Sequence, residues 1–136
     1  MQQHPFFVYG TLKRGGSNFA AHLEGRTISE VSAFLPNAAL YNAGPYPFLV
    51  LESGGGVQGQ VMVIEPSQYE LVKERLDELE GYDETASNNW YERHLFEVQS
   101  EQGPRMAWVY VASDNTRTTI IEAGAMPKIE NGIWPV

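Results

Sequence analysis

An α+β fold, a small mixed and partly closed β-barrel with one principal flanking helix, follows from three features of this chain. Short apolar or alternating runs bounded by Gly and Pro recur along it, and one longer amphipathic segment interrupts them near the middle. Two of the later runs are joined by a short turn, as in a hairpin. Five or more strands in so short a chain leave edges that partial closure would hide. One domain over residues 1–136 is expected, because 136 residues match the usual size of a single compact unit.

Phe6-Phe7-Val8-Tyr9 reads as a buried strand that stops at Gly10 and feeds the loop Gly10-Thr11-Leu12-Lys13-Arg14-Gly15-Gly16. Asn18 to Leu23 has room for one or two helical turns. Strand-like pieces follow around Ser29–Leu35 and Phe48–Leu51, joined through the irregular Asn42-Ala43-Gly44-Pro45-Tyr46-Pro47. Gly54-Gly55-Gly56 reads as a turn before the strand Val57–Ile64, in which Val57, Gly59, Val61 and Val63 share a face. The helix is expected from about Pro66 to Glu80, with Pro66 in its first turn and Gly81 just past its end. Tyr69, Val72, Leu76 and Leu79 give it a buried stripe, while Lys73, Glu74, Asp77 and Glu78 take the solvated side. Tyr91–Val98 and Met106–Ala112 read as paired strands around the turn Ser100–Pro104.

Composition removes several function classes. The formal charge is −8, with nine Lys and Arg scattered among seventeen acids. That disfavours nucleic acid, whose phosphates need clustered cations. Cysteine is absent, which removes disulfides, Cys-based zinc sites and thiol nucleophiles together. His4, His22 and His94 are far apart and form no metal-binding pattern, so no metal site is expected. Neither a signal peptide nor a run of about 20 apolar residues is found, so the expected location is the cytoplasm, without a membrane partner.

Three groups could carry chemistry. Glu80 borders the buried stripe and ends the helix, where the helix dipole disfavours negative charge. Partial burial would raise its pKa further, toward the range useful for general acid/base work. An ordinary solvated helix-end glutamate is the alternative, and Asp77, Glu78, Asp83 and Glu84 crowd the same region; periodicity narrows the choice toward Glu80 and leaves it open. The loop Tyr9-Gly10-Thr11-Leu12 can present successive backbone N–H groups to an anion or oxyanion, although a tight turn is the commoner use of such a glycine. Finally, Tyr46, Trp90, Tyr91, Arg93, Trp108 and Tyr110 gather aromatic surface and one cation, for packing or for ligand contact. Tyr91 and Arg93 share a strand face, as do Trp108 and Tyr110. A structural salt bridge is as good a role for Arg93 as a ligand contact.

Taken in order, these segments resemble the γ-glutamylcyclotransferase superfamily, in its short γ-glutamylamine cyclotransferase/AIG2-like branch. Phe7-Val8-Tyr9-Gly10-Thr11-Leu12-Lys13-Arg14-Gly15 is similar to the family's opening FVYGTLxxG. Pro45-Tyr46-Pro47 and Val57-Gln58-Gly59-Gln60-Val61 follow. Leu76-Asp77-Glu78-Leu79-Glu80-Gly81-Tyr82 with Tyr91-Glu92-Arg93 is similar to its LDxxEG…YxR segment, and Trp108-Val109-Tyr110 and Gly132-Ile133-Trp134 also fit. The resemblance implies a cofactor-independent enzyme with Glu80 as acid/base residue and a substrate-cradling loop at Tyr9, Gly10, Thr11 and Leu12. Tyr46, Tyr91, Arg93 and Tyr110 are the further candidate substrate contacts. The implied substrate is a small γ-glutamyl amide or peptide, whose free α-amine attacks its own γ-carbonyl and releases 5-oxoproline. A non-catalytic binding module on the same fold, or an amidohydrolase using Glu80, are the competing readings.

Overall fold

The computed structural model describes residues 3–86 and 88–135. Met1, Gln2, Ser87 and Val136 lie outside them, so the readings of the N-terminus and of the 83–89 segment are followed only on their described parts. The elements run β1 (Phe6–Val8), α1 (Phe19–His22), β2 (Thr27–Asn42), β3 (Pro47–Ile64), a 3₁₀ turn (Pro66–Gln68), α2 (Tyr69–Glu80), β4 (Tyr91–Ser100), β5 (Gly103–Ala112), α3 (Asp114–Ala123) and β6 (Lys128–Ile129).

The mixed β architecture is a six-stranded sheet ordered β3-β1-β5-β4-β2-β6, and a further β2–β3 pairing joins five strands into a ring. All pairings are antiparallel except that of β1 with β5, where Phe6 faces Trp108. Successive residues of a strand point to opposite faces, and here both faces are buried. Phe6 and Val8 join a core shared with Phe19, Leu23, Tyr69, Val72, Leu76 and Ile120 of the helical side. Phe7 joins a second core supplied by the ring strands and Tyr9, including Leu35, Val57, Val61, Val98 and Val109. That is why Phe6-Phe7-Val8-Tyr9 is a continuous apolar run. Phe6 and Phe7 are each 1% exposed, and burying such a side chain contributes about 1.5–3 kcal/mol.

The structure corrects the sequence reading at five places. The pieces expected near 29–35 and 48–51 are parts of two long strands forming one hairpin, β2 and β3. The Gly54–Gly56 run is no turn. Pro36 pairs with Gly56 and Ala38 with Leu51, so residues 52–55 bulge out opposite Asn37. A second regular helix, α3, follows β5, with Ser113 as N-cap accepting a hydrogen bond from the Thr116 N–H. Leu79, expected in the buried stripe, is 38% exposed. Asp77, expected on the solvated face, has a side chain only 20% exposed and is fully engaged.

The end of α2 positions the site. Gly81 adopts φ 68°, a left-handed conformation glycine takes without a Cβ penalty. The Gly81 N–H donates to the Glu78 carbonyl (3.1 Å) and the Tyr82 N–H to the Asp77 carbonyl (2.8 Å), which closes the helix in a Schellman motif. Glu80 is thereby fixed as the last helical residue.

Candidate active site

A cavity of about 370 Å³ opens between the end of α2, the loop after β1, the β2–β3 connection and the start of β4. Its lining includes Tyr9, Gly10, Thr11, Leu12, Tyr46, Glu80, Tyr91 and Tyr110. Eight of the nine candidates from the sequence therefore meet at one place, although they come from five separate segments. The ninth, Arg93, does not. Its side chain is 5% exposed and bound to Asp77, with Nε donating to Oδ1 at 2.8 Å and a terminal nitrogen to Oδ2 at 3.3 Å. The guanidinium is held over Trp108 at 4.4 Å and Tyr82 at 5.3 Å from the ring centroids. Arg93 lines a separate depression together with Asp77 and Tyr82.

The buried tyrosines of the cavity spend their hydroxyls on the framework. Tyr9 donates to the Tyr110 carbonyl (2.6 Å), Tyr91 to the Pro47 carbonyl (2.7 Å) and Tyr110 to Asp77 Oδ1 (2.6 Å). Burial pushes all three phenols well above their ordinary pKa, and the nearby Glu80 carboxylate adds to the effect. They remain protonated throughout the range of ordinary pH and cannot act as bases near neutrality.

Glu80 is the exception. Among the described residues no donor is paired with its carboxyl group, and desolvation raises its pKa from 4.5 to about 7. A carboxyl with that pKa both accepts and returns a proton at neutral pH with little cost in either direction. Glu78, two residues earlier, is exposed at the cavity mouth.

The loop after β1 supplies the complementary polarity. The backbone N–H groups of Gly10, Thr11 and Leu12 have no intramolecular partner among the described residues, while their neighbours are engaged: Lys13 donates to Gly10, and Asn18 to Thr11. A Cβ at position 10 would lie 2.9 Å from Pro47 Cγ and Cδ, so only glycine lets the loop close on the cavity wall. Asn18 Nδ2 donates to Thr11 Oγ1 (2.8 Å), which leaves the threonine hydroxyl proton free to point elsewhere. Lys13 is buried and its Nζ donates to the Trp134 carbonyl at 2.5 Å, tying the loop to the C-terminal segment.

Asn18, Pro47, Phe48 and Leu79 are among the further lining residues that the sequence candidates do not include. Pro47 and Phe48 directly follow Tyr46 and could have been included on adjacency. Asn18 and Leu79 carry no local signal, since one follows an irregular loop and the other fits the helix's apolar period. Among the described residues no group of three or more His, Cys, Asp or Glu could hold a metal ion, and no helix is long and apolar enough to cross a membrane.

The chain is 31% identical over 123 residues to a Vibrio cholerae protein named "Putative gamma-glutamylcyclotransferase", covering 90% of this chain and 94% of that one. Its fold matches the crystal structure of an AIG2-like protein of Mus musculus with a TM-score of 0.67 at 24% identity, over 93% of this chain and 86% of the other. It also matches the solution structure of the protein ytfP of Escherichia coli, with a TM-score of 0.58 at 27% identity over 96% and 95% of the two chains. The family described as gamma-glutamyl cyclotransferase, AIG2-like, matches residues 6–135, nearly the whole sequence, and this chain belongs to it.

Proposed function

We propose that this protein is a cyclotransferase that releases 5-oxoproline from a small γ-glutamyl amide or peptide, with Glu80 as general acid/base and no cofactor. One observation carries the reading: a desolvated carboxyl shares a cavity with three backbone N–H groups, none of them partnered among the described residues. In the proposed reaction the Glu80 carboxylate takes a proton from the substrate's α-ammonium. The freed nitrogen attacks the γ-carbonyl carbon, a C–N bond forms, and negative charge moves to the carbonyl oxygen. Collapse of that intermediate breaks the original amide bond as Glu80 gives its proton to the departing nitrogen, and the regenerated Glu80 carboxylate takes the second proton of the ring nitrogen and passes it to solvent. The products are 5-oxoproline and a free amine, and no water is consumed.

The N–H groups of Gly10, Thr11 and Leu12 are the proposed donors for the substrate's carboxylate and developing oxyanion. Preorganised donors of this kind are worth on the order of 10²–10³ in rate each. Tyr9, Tyr91 and Tyr110 form walls that hold the glutamyl chain in a folded, cyclising geometry, and Tyr46 covers it from the mouth. Because both reacting groups belong to one molecule, positioning supplies much of the acceleration.

The test uses one γ-glutamyl amide and its N-acetyl counterpart, with 5-oxoproline, glutamate and released amine measured by mass spectrometry. The free compound yields equal 5-oxoproline and amine, and the acetylated one is inert. Amine release from both, with glutamate or acetylglutamate as co-product, identifies a hydrolase and defeats the proposal. Binding without any product identifies a non-catalytic module.

A further inference from the structure

The cavity divides by exposure. Its floor is buried: Tyr9, Leu12, Phe48, Tyr91 and Tyr110. Its mouth holds apolar side chains left facing solvent: Trp90 (62% exposed), Tyr46 (43%) and Leu79 (38%). The mouth aromatics are ordered about one floor ring. Phe48 stacks on Tyr91 with centroids 4.6 Å apart, Trp90 lies nearly parallel to Phe48 at 6.3 Å, and Tyr46 meets Phe48 edge-on at 5.7 Å. Exposed apolar surface continuous with a cavity is a marker of ligand contact, whereas single exposed apolar residues need no explanation.

Charge at the mouth is equally one-sided. Among the described lining residues there is no Lys, Arg or His, and the ionisable acids are Glu78 and Glu80. The nearby cations are committed elsewhere: Lys13 to Trp134, Arg14 to Glu30 and Arg93 to Asp77.

We propose that the mouth formed by Tyr46, Leu79 and Trp90 is a subsite for the leaving amine, selecting γ-glutamyl amides of uncharged aromatic or arylalkyl amines and rejecting leaving groups that carry a carboxylate. This rests on the cyclotransferase reading and deepens it. The glutamyl head must occupy the floor to reach both Glu80 and the loop, so the departing half of the substrate projects into the mouth. There an aryl ring finds stacking partners at Trp90 and Tyr46. A carboxylate there finds no counter-ion and meets Glu78 and Glu80, and each such neighbour lowers its binding by on the order of tenfold in a partly shielded site. Proton balance is unchanged, because Glu80 still delivers its proton to the departing nitrogen.

The experiment compares three γ-glutamyl compounds by 5-oxoproline formation: the benzylamide, the glycinamide and the glycine dipeptide. The glycinamide separates charge from ring contact, since it matches glycine in size but lacks its carboxylate. The expected kcat/KM order is benzylamide, glycinamide, glycine dipeptide, with a span of about 100-fold or more. Trp90→Ala and Tyr46→Ala reduce the benzylamide-to-glycinamide ratio by about tenfold, and Glu78→Lys narrows the gap between glycinamide and glycine dipeptide by at least as much. Thermal denaturation of each variant excludes misfolding as the cause, and a ratio between substrates is insensitive to the fraction of active protein. Production of 5-oxoproline from all three at similar rates, or ratios unmoved in the variants, overturns the subsite while leaving cyclisation intact. Failure to form 5-oxoproline from any of them overturns the cyclotransferase reading, and the subsite with it.

Discussion

Replacing Glu80 by Gln should remove activity and make the protein more stable, and the second effect has a definite pH dependence. The amide keeps the shape of the acid but cannot exchange a proton, so kcat should fall by on the order of 10²–10⁴. The stability effect follows from linkage. Desolvation raises the Glu80 pKa from 4.5 to about 7, so the folded protein holds this proton more tightly than the unfolded chain. Below about pH 4.5 both states are protonated and the group contributes no pH-dependent penalty. Between about 4.5 and 7 the unfolded chain releases the proton first, and stability falls as pH rises. Above 7 both states are ionised and the full penalty is present. A difference of about 2.5 units at 1.36 kcal/mol per unit gives about 3 kcal/mol as the upper limit, since the side chain keeps some solvent access.

The assay is thermal denaturation of wild type and Glu80→Gln at pH 5 and pH 8. Every other titrating group is common to both proteins and cancels in the difference between them. At pH 8 the variant should melt higher relative to wild type than it does at pH 5, by up to about 10 °C for a chain of this size. In wild type, kcat/KM should fall about tenfold per unit below pH 7, because the reaction begins with Glu80 ionised. An unchanged melting difference at the two pH values would show that Glu80 titrates normally and refute the desolvation argument. Activity retained in the variant would remove Glu80 from the chemistry altogether.

Gly10→Ala should lower kcat by about 100-fold with only a small loss of melting temperature, since its Cβ meets Pro47 at 2.9 Å and displaces the loop donors; a variant with full activity would show that the loop N–H groups are not fixed. Asp77→Asn should destabilise the fold by about 3 kcal/mol in urea denaturation, because Arg93 is left buried against a neutral partner; a loss below about 1 kcal/mol would mean that the pair relaxes into solvent.

How much of this could be read in the sequence depended on whether a residue's role was local. The end of α2 was legible because Pro66, the period of Tyr69, Val72 and Leu76, and Gly81 all act within one helix. The strand before Gly10, which ends at Val8, was legible for the same reason. The long β2–β3 hairpin was not, because Gly54–Gly56 is a turn signal locally and becomes a bulge only through pairing with β2. Helix α3 was hidden by its composition: Thr116 and Ile120 are its buried residues, too few apolar side chains to show a helical period. Leu79 fits the apolar stripe by spacing, yet it is 38% exposed and lines the cavity, a placement set by the loops that meet the helix end rather than by the helix's own period. Arg93 fits its strand face, but its partner lies 16 residues earlier on the helix, a pairing no local pattern discloses.

That pairing explains how Glu80 can stay desolvated. A helix end carrying an unpartnered carboxyl would gain by fraying, because fraying returns the charge to water. The last turn of α2 is held against this tendency by Asp77, one turn before Glu80, which accepts from Arg93 on β4 and Tyr110 on β5. The Gly81 closure fixes the chain immediately after it. Two acids three residues apart therefore divide the work between them. Asp77 takes the cation and anchors the helix, and Glu80 is left without one. Had Arg93 paired with Glu80 instead, the carboxyl would be held ionised well below neutrality and could not return a proton to a leaving amine. The spacing of the two acids thus keeps the cavity's general acid at a useful pKa.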